Sequence, residues 1–392
     1  MTDPESPAET PAEGALRRAA PALLGYAAVR VLGLVTLAVW SAARGTSPHR
    51  LLSERWDSLW YTRVAELGYG YEVRLPDGDV HSNLAFFPLL PWLERLVHAV
   101  TPLSYADAGL LVTSAASLAA AWGIFAVADH VHGRRAGVCA VLVWAVLPVG
   151  VVQSMAYSES LFTALAAWSL YAVLTGRWLT AGLLAAFAGL TRPVGVAVVA
   201  ALWVAAITSF VGERRHSGST LRTDGARAWR RALAMIIAPL GAAGYVLWVG
   251  HRTGRGPLGY LDVQAGWRNG FDGGYAFGRF VADKFTSFPS ALAGVALIAG
   301  VALVLSLYVT CVRQGQPPAL LVYSGIVVAL ALCASSYFGS KPRLLLPAFP
   351  LLFPLARALA RLRPRRSALV LGCVAVASAA YGAFWLNGSG PP

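Results

Sequence analysis

Lysine is nearly missing from this sequence. Of 32 basic residues only Lys284 and Lys341 are lysine, and the rest are arginine. Charge of either sign is scarce: 13% of the 392 residues are charged and 57% are hydrophobic. A soluble domain carries about 25% charged residues. Half that share, with apolar runs of about 20 residues recurring along the chain, excludes a soluble multidomain protein and implies a polytopic α-helical membrane protein. The net charge of +13 does not point to nucleic acid as a partner. The arginines sit mostly in loops between apolar runs, where loop charge sets orientation in the bilayer.

Other absences narrow the chemistry. The four cysteines, Cys139, Cys311, Cys333 and Cys373, lie in or beside apolar segments with no CxxC spacing. They read as packing residues rather than a disulfide or metal set. There is no P-loop, Rossmann glycine fingerprint, HExxH or GxSxG. No Asp-x-Asp motif occurs in a cytoplasmic loop, which argues against a soluble nucleotide-sugar donor. No metal or cofactor is expected.

Residues 1–20 read as a disordered cytoplasmic tail, acidic and Pro-rich over 1–14, with Arg17 and Arg18 keeping it inside. Residues 21–388 read as a single membrane domain. Its apolar segments fall near 21–42, 106–128, 136–155, 158–175, 178–210, 232–250, 289–311, 319–338, 344–360 and 367–387. The 178–210 stretch is too long for one helix and is interrupted at Thr191-Arg192-Pro193, so it counts as two spans and the total as about eleven. Two long extracytoplasmic loops remain, 43–105 and 251–288. In the first, Trp56, Leu59, Trp60, Val64 and Leu67 recur at helical spacing, as do Leu89, Leu90, Leu93, Leu96, Val97 and Val100. These are short, amphipathic and suited to the membrane interface.

With the N-terminus inside, the basic clusters at 134–135, 177, 214–231, 313 and 361–366 all fall on the cytoplasmic side. Arg192, Lys341 and Arg343 fall on the other. Cations there oppose the usual charge bias. They either snorkel to headgroups or bind a lipid phosphate, which guanidinium meets with a forked contact and ammonium with a point charge.

Acids are weighed the same way. Asp57 sits in Arg55-Trp56-Asp57-Ser58-Leu59-Trp60-Tyr61 and is the one acid of its loop inside an aromatic helical run. It is either an ordinary loop acid or a general base kept effective by a partly dry setting. Asp77 and Asp79, in Pro-Asp-Gly-Asp, read as a turn, and His81 follows within reach of a substrate. Glu159, between two apolar segments, either caps a helix or belongs to a site. Asp107 and Asp129 end a span, and Asp262, Asp272 and Asp283 form no interpretable pattern.

Five stretches carry a resemblance. They are Arg55-Trp56-Asp57-Ser58-Leu59-Trp60-Tyr61, Phe86-Phe87-Pro88-Leu89-Leu90-Pro91, and the run from Gln153 through Tyr157 and Glu159 to Phe162. Ala188 to Gly195 and Pro342 to Pro350 complete the set. In this order they resemble the GT-C membrane glycosyltransferases, most closely the PIG-V-type mannosyltransferase family and its bacterial relatives. The resemblance implies an all-α GT-C-like fold and metal-free, inverting transfer from a polyprenyl-phosphate-mannose donor. It maps the catalytic base onto Asp57. Arg192 and Arg343 would hold donor phosphate or sugar, beside Lys341 from the topology. Tyr157 and Glu159 would line the acceptor side, with Arg55, Trp56, Trp60, Tyr61, His81 and Gln153 as further substrate contacts. The acceptor would be a lipid, a glycan or a protein outside the cytoplasm, and the arginine-rich composition suits a bacterial cell membrane. A secondary transporter or lipid flippase is the alternative, but no repeat of the span pattern supports it.

Overall fold

The computed structural model describes residues 11–216, 221–388 and 390. Helices dominate. Among the described residues the strands form two short antiparallel ribbons, Glu72–Arg74 with Val80–Ser82 and Gly270–Phe271 with Ala334–Ser335. The polytopic all-α architecture expected from composition is therefore the one observed.

The first helix runs from Pro11 to Arg44. Residues 11–20, expected as part of a disordered tail, are helical; residues 1–10 lie outside the described chain. Proline is well placed in a first helical turn, and the alanine-rich sequence that follows has high helix propensity. Ala19 and Ala22 are fully buried, and Arg18 Nη2 lies 2.7 Å from Asp129 Oδ1, so this turn packs rather than frays.

Among the described residues six helices are long and apolar enough to cross a membrane, or up to seven if the bent pair Phe338–Leu344 and Phe349–Arg361 counts as one span. Each segment expected as a span contains helix, though 136–155 and 344–360 are broken within it, and the expected eleven is not reached by length. Ser158–Leu174, Trp178–Gly189 and Pro318–Cys333 hold 17, 12 and 16 residues. At a rise of about 1.5 Å per residue they reach roughly 18–26 Å, short of a hydrocarbon core of about 30 Å.

The breaks have local causes. The 136–155 segment is helical only over Arg134–Ala145, then turns through a 3-10 stretch, Gly150–Ser154, on either side of Pro148. The carbonyls released there are met by Arg30, whose guanidinium donates to Ala145 O and Gly150 O. In the 178–210 segment the chain reverses between Gly189 and Pro193. A Cβ on Gly195 would come within 2.6 Å of the Gly189 Cα, so this contact admits only glycine. Pro239 divides Leu221–Ile237 from Leu240–Thr253. Broken backbone at such depth is tolerated where protein covers it.

Both amphipathic runs of the first long loop are helices, Asp57–Leu67 and Leu89–Val100. Between them Pro-Asp-Gly-Asp forms the expected turn, with Leu75 N–H donating to Asp79 O at 2.9 Å and Val73 paired with His81. The second long loop carries two short helices, Gly259–Gly266 and Tyr275–Asp283. Asp272 caps the second: its carboxylate accepts from Gly274 N–H at 2.9 Å and Ala276 N–H at 2.8 Å. Those N–H groups hold the Asp272 carboxyl below its usual range.

Candidate active site

Asp57 opens the helix Asp57–Leu67, and the residue before it is strained. Trp56 has φ 53° and ψ −126°, a left-handed conformation that favours glycine. Such a residue costs about 1–3 kcal/mol unless its surroundings hold it. Here Ser58 Oγ accepts from Arg55 N–H at 3.1 Å and donates to Arg55 O at 2.6 Å, closing the turn. The Arg55 guanidinium lies 4.2 Å from the Trp56 ring centre. The carboxylate that follows is thereby fixed at a helix N-terminus, where the dipole favours negative charge.

Four charged side chains meet at this point from four elements. Arg343, on the short helix Lys341–Leu344, places Nη2 at 2.7 Å from Asp57 Oδ2 and Nε at 3.6 Å from Glu159 Oε1. Glu159 stands in the first turn of Ser158–Leu174. Its Oε1 lies 2.6 Å from Nη1 of Arg192, which comes from the 189–193 reversal. Arg192 Nη1 also donates to Ser158 Oγ at 3.1 Å, and that hydroxyl is 2.7 Å from Tyr61 OH. Glu159 is 1% exposed and Asp57 25% by side chain, so the cluster has a sealed end and an open end.

The open end lines a cavity of about 590 Å³. Asp57, Arg192 and Arg343 reach it, with Trp56, Trp60, Tyr61 and His81. Trp60 stacks on Phe86 with ring centres 5.7 Å apart, and His81 stacks on Trp267 at 4.0 Å. Burial is the main influence on the His81 imidazole and pushes it below the usual value; Asp79 and Asp77 oppose this.

Other expected site residues are placed elsewhere. Lys341 does not line the cavity. It is 4% exposed, and its Nζ donates to Ala331 O at 2.7 Å and Ala334 O at 2.8 Å, the carbonyls at the end of helix Pro318–Cys333. A cation is held there by the helix C-terminal dipole and the unpaired carbonyls. Arg55 holds the Trp56 turn and reaches Leu386 O at 3.5 Å, outside the cavity wall. Gln153 is buried and donates to Trp144 O at 2.8 Å. Tyr157 lies behind the wall with the Arg343 guanidinium 5.0 Å from its ring, and Glu159 sits beneath the two arginines.

The second long loop supplies wall residues that sequence reasoning passed over. Trp267, Asn269 and Gln264 line the cavity, as does Tyr337 after the Ala334–Ser335 strand. Arg268, itself at φ 55°, ties this loop to the first, with Nη2 at 2.6 Å from Asp77 and Nε paired with Asp79. The Pro-Asp-Gly-Asp turn is thus also one half of an ion-pair clasp. The one tryptophan of residues 251–288, Trp267, was the available signal. Among the described residues no three His, Cys, Asp or Glu side chains gather as a metal set.

Residues 83–226 match the family model described as dolichyl-phosphate-mannose-protein mannosyltransferase. Among curated proteins no sequence matches. In structure the chain is similar to ArnT from Cupriavidus metallidurans bound to undecaprenyl phosphate, with TM-score 0.52 and 17% identity over 90% of this chain. The apo form of that protein gives 0.50 and 18% over 88%. The chain spans 62% and 63% of the length of those two chains. The likeness establishes the fold, that of the GT-C membrane glycosyltransferases.

Proposed function

We propose that this chain is a membrane glycosyltransferase that moves a hexose, mannose in the first instance, from a polyprenyl-phosphate donor to an acceptor hydroxyl. The observation that carries the reading is the Asp57–Arg343 pair, at 2.7 Å, on the wall of a cavity of about 590 Å³. It joins an acid able to take a proton to a cation able to meet a phosphate. The match over residues 83–226 to a mannosyltransferase family and the ArnT-like fold support it.

In this mechanism the acceptor oxygen attacks the anomeric carbon as its proton passes to the Asp57 carboxylate. The bond from that carbon to the phosphate oxygen breaks, and polyprenyl phosphate leaves with the electron pair. A single displacement inverts the anomeric centre. The charge that grows on the phosphate is met by Arg343 and Arg192, and such preorganised contacts are the largest source of rate enhancement in many enzymes. Arg343 Nη1 and Nε have no hydrogen-bond partner among the described residues, so the guanidinium has donors to give. An arriving phosphate would draw Arg343 from Asp57 and release the carboxylate for the acceptor. Glu159 holds both arginines in place from below. No metal enters the scheme, because guanidinium groups carry the neutralising charge.

The narrower resemblance to PIG-V-type enzymes favours mannose over other lipid-carried hexoses, and the distribution of loop charge supports a reaction on the extracytoplasmic face. The acceptor is a lipid, a glycan or a protein. The test is transfer of labelled mannose from polyprenyl-phosphate-mannose by membranes containing the wild type or Asp57→Asn. Product with the wild type alone supports donor and base together. Product with both removes Asp57 as the base.

A further inference from the structure

We propose that a groove at the opposite end of the helices from Asp57 binds an anionic phospholipid, acyl chain in the groove and phosphate at its mouth. The groove has a volume of about 420 Å³, within the range of small-molecule sites. Val138 and Leu142 of helix Arg134–Ala145 line it, facing Ala368 and Leu371 of helix Pro364–Leu386. Arg134 and Arg135 stand at the first turn of their helix and also line the groove. Helix Pro364–Leu386 links the two ends of the molecule. It starts at the groove and finishes at Leu386, whose carbonyl Arg55 reaches beside Asp57.

The mouth is built for an anion. Arg134 Nε donates to Arg18 O at 3.2 Å and Arg135 Nη2 donates to Leu362 O, so both guanidinium groups are anchored through one nitrogen and retain others. Neither has an ion-pair partner among the described residues, and nor do the exposed Arg363, Arg365 and Arg366 at the start of the facing helix. Asp129, the acid at the end of helix Tyr105–His132, is already taken by Arg18 at 2.5 Å. The first-turn N–H groups of both helices add positive potential.

The floor decides which anion. A free phosphate would leave the apolar walls uncovered, whereas a phospholipid fills them. Leu369 and Val370, on the outward face of the same helix, are 69% and 46% exposed, as expected where the chain meets acyl chains. A zwitterionic lipid would bring a second cation to a mouth already ringed with arginine. Juxtamembrane basic clusters are known to select anionic headgroups.

The test is native mass spectrometry of the full chain released from micelles holding equal phosphatidylglycerol and phosphatidylcholine. Inorganic phosphate serves as a headgroup-only control. The wild type is expected to retain phosphatidylglycerol about tenfold over phosphatidylcholine, given the worth of each basic residue at a membrane surface. Phosphate alone is expected not to compete at equal concentration. Arg134→Gln with Arg135→Gln should abolish the preference. Ala368→Trp, which fills the groove and leaves every charge in place, should lower retention of phosphatidylglycerol. Equal retention of both lipids by the wild type overturns the proposal. So does an unchanged preference in the double arginine variant, unchanged retention in Ala368→Trp, or displacement by free phosphate.

Discussion

Arg343 is shared between two carboxylates, with Nη2 at 2.7 Å from Asp57 and Nε at 3.6 Å from Glu159. The first acid is open to the cavity and the second is sealed beneath it. One guanidinium therefore belongs both to the cavity wall and to the foundation under it. Arg343→Gln is expected to lower kcat by about 10²–10³-fold, the usual loss when a preorganised transition-state donor is removed. Arg343→Lys should recover only part, because an ammonium cannot span two acids as a fork does. Steady-state transfer with both variants checks this; near-normal kcat in Arg343→Gln would remove Arg343 from the phosphate site.

Glu159 is 1% exposed beneath two arginines. Glu159→Gln leaves both cations without their shared partner, and breaking a buried pair in this way costs about 3–5 kcal/mol. The thermal midpoint in detergent should fall accordingly. Adding Arg192→Met should restore part of the loss, since removing both charges leaves no uncompensated ion. A Glu159→Gln midpoint equal to wild type would mean that the carboxylate is not what holds the arginines.

Lys341 offers a contrast two residues from Arg343. Its two bonds to backbone carbonyls predict a structural role. Lys341→Met should cost about 1–3 kcal/mol, the penalty for unsatisfied buried acceptors, while KM for the donor stays within a factor of about two of wild type. A tenfold rise in donor KM, with stability intact, would return Lys341 to the phosphate site.

Glu94 lies on the interfacial helix Leu89–Val100, fully buried, with neither carboxyl oxygen hydrogen-bonded among the described residues. It packs against Gly109 so closely that a Cβ there would meet Oε1 at 2.8 Å. Burial raises the Glu94 carboxyl well above its usual range. For an acid raised in this way the folded state holds the proton that the unfolded chain gives up. Stability is therefore greatest below the unfolded value and declines as pH rises toward the folded one. Glu94→Gln should flatten that decline and raise the midpoint at neutral pH. Midpoints measured across pH 4 to 8 give the slope, and identical slopes for variant and wild type would show Glu94 ionised in the fold.

The charged cluster was legible because charge is rare in this chain and each member stood out of place: Asp57 among tryptophans, Glu159 and Arg192 at breaks in apolar runs. The misplacement of Lys341 has a geometric cause. Pro342 made the segment read as a turn, but Lys341–Leu344 is a helix, and residues two apart on a helix point to opposite sides. Arg343 faces the cavity, so Lys341 faces away. Trp267 and Asn269 were passed over because their loop has no periodicity and is positioned by contacts distant in sequence, Arg268 to Asp77 and Asp79 above all. Arg30 was the missed signal. An arginine in the middle of the first apolar run demands a partner, and it finds one in the broken backbone at Ala145 and Gly150.

The ribbon joining Gly270–Phe271 to Ala334–Ser335 has a mechanical consequence. One strand belongs to the loop that carries Trp267 and Asn269 over the cavity. The other leads within a few residues to the ledge that carries Arg343. Lifting the first to admit a substrate pulls on the second, so entry and the loosening of Arg343 from Asp57 would be a single movement. Cysteines at Gly270 and Ser335, which face each other in the ribbon, would lock the two together when oxidised. Turnover that survives the lock would mean that cover and ledge travel as one body, and turnover that stops would mean that they must part.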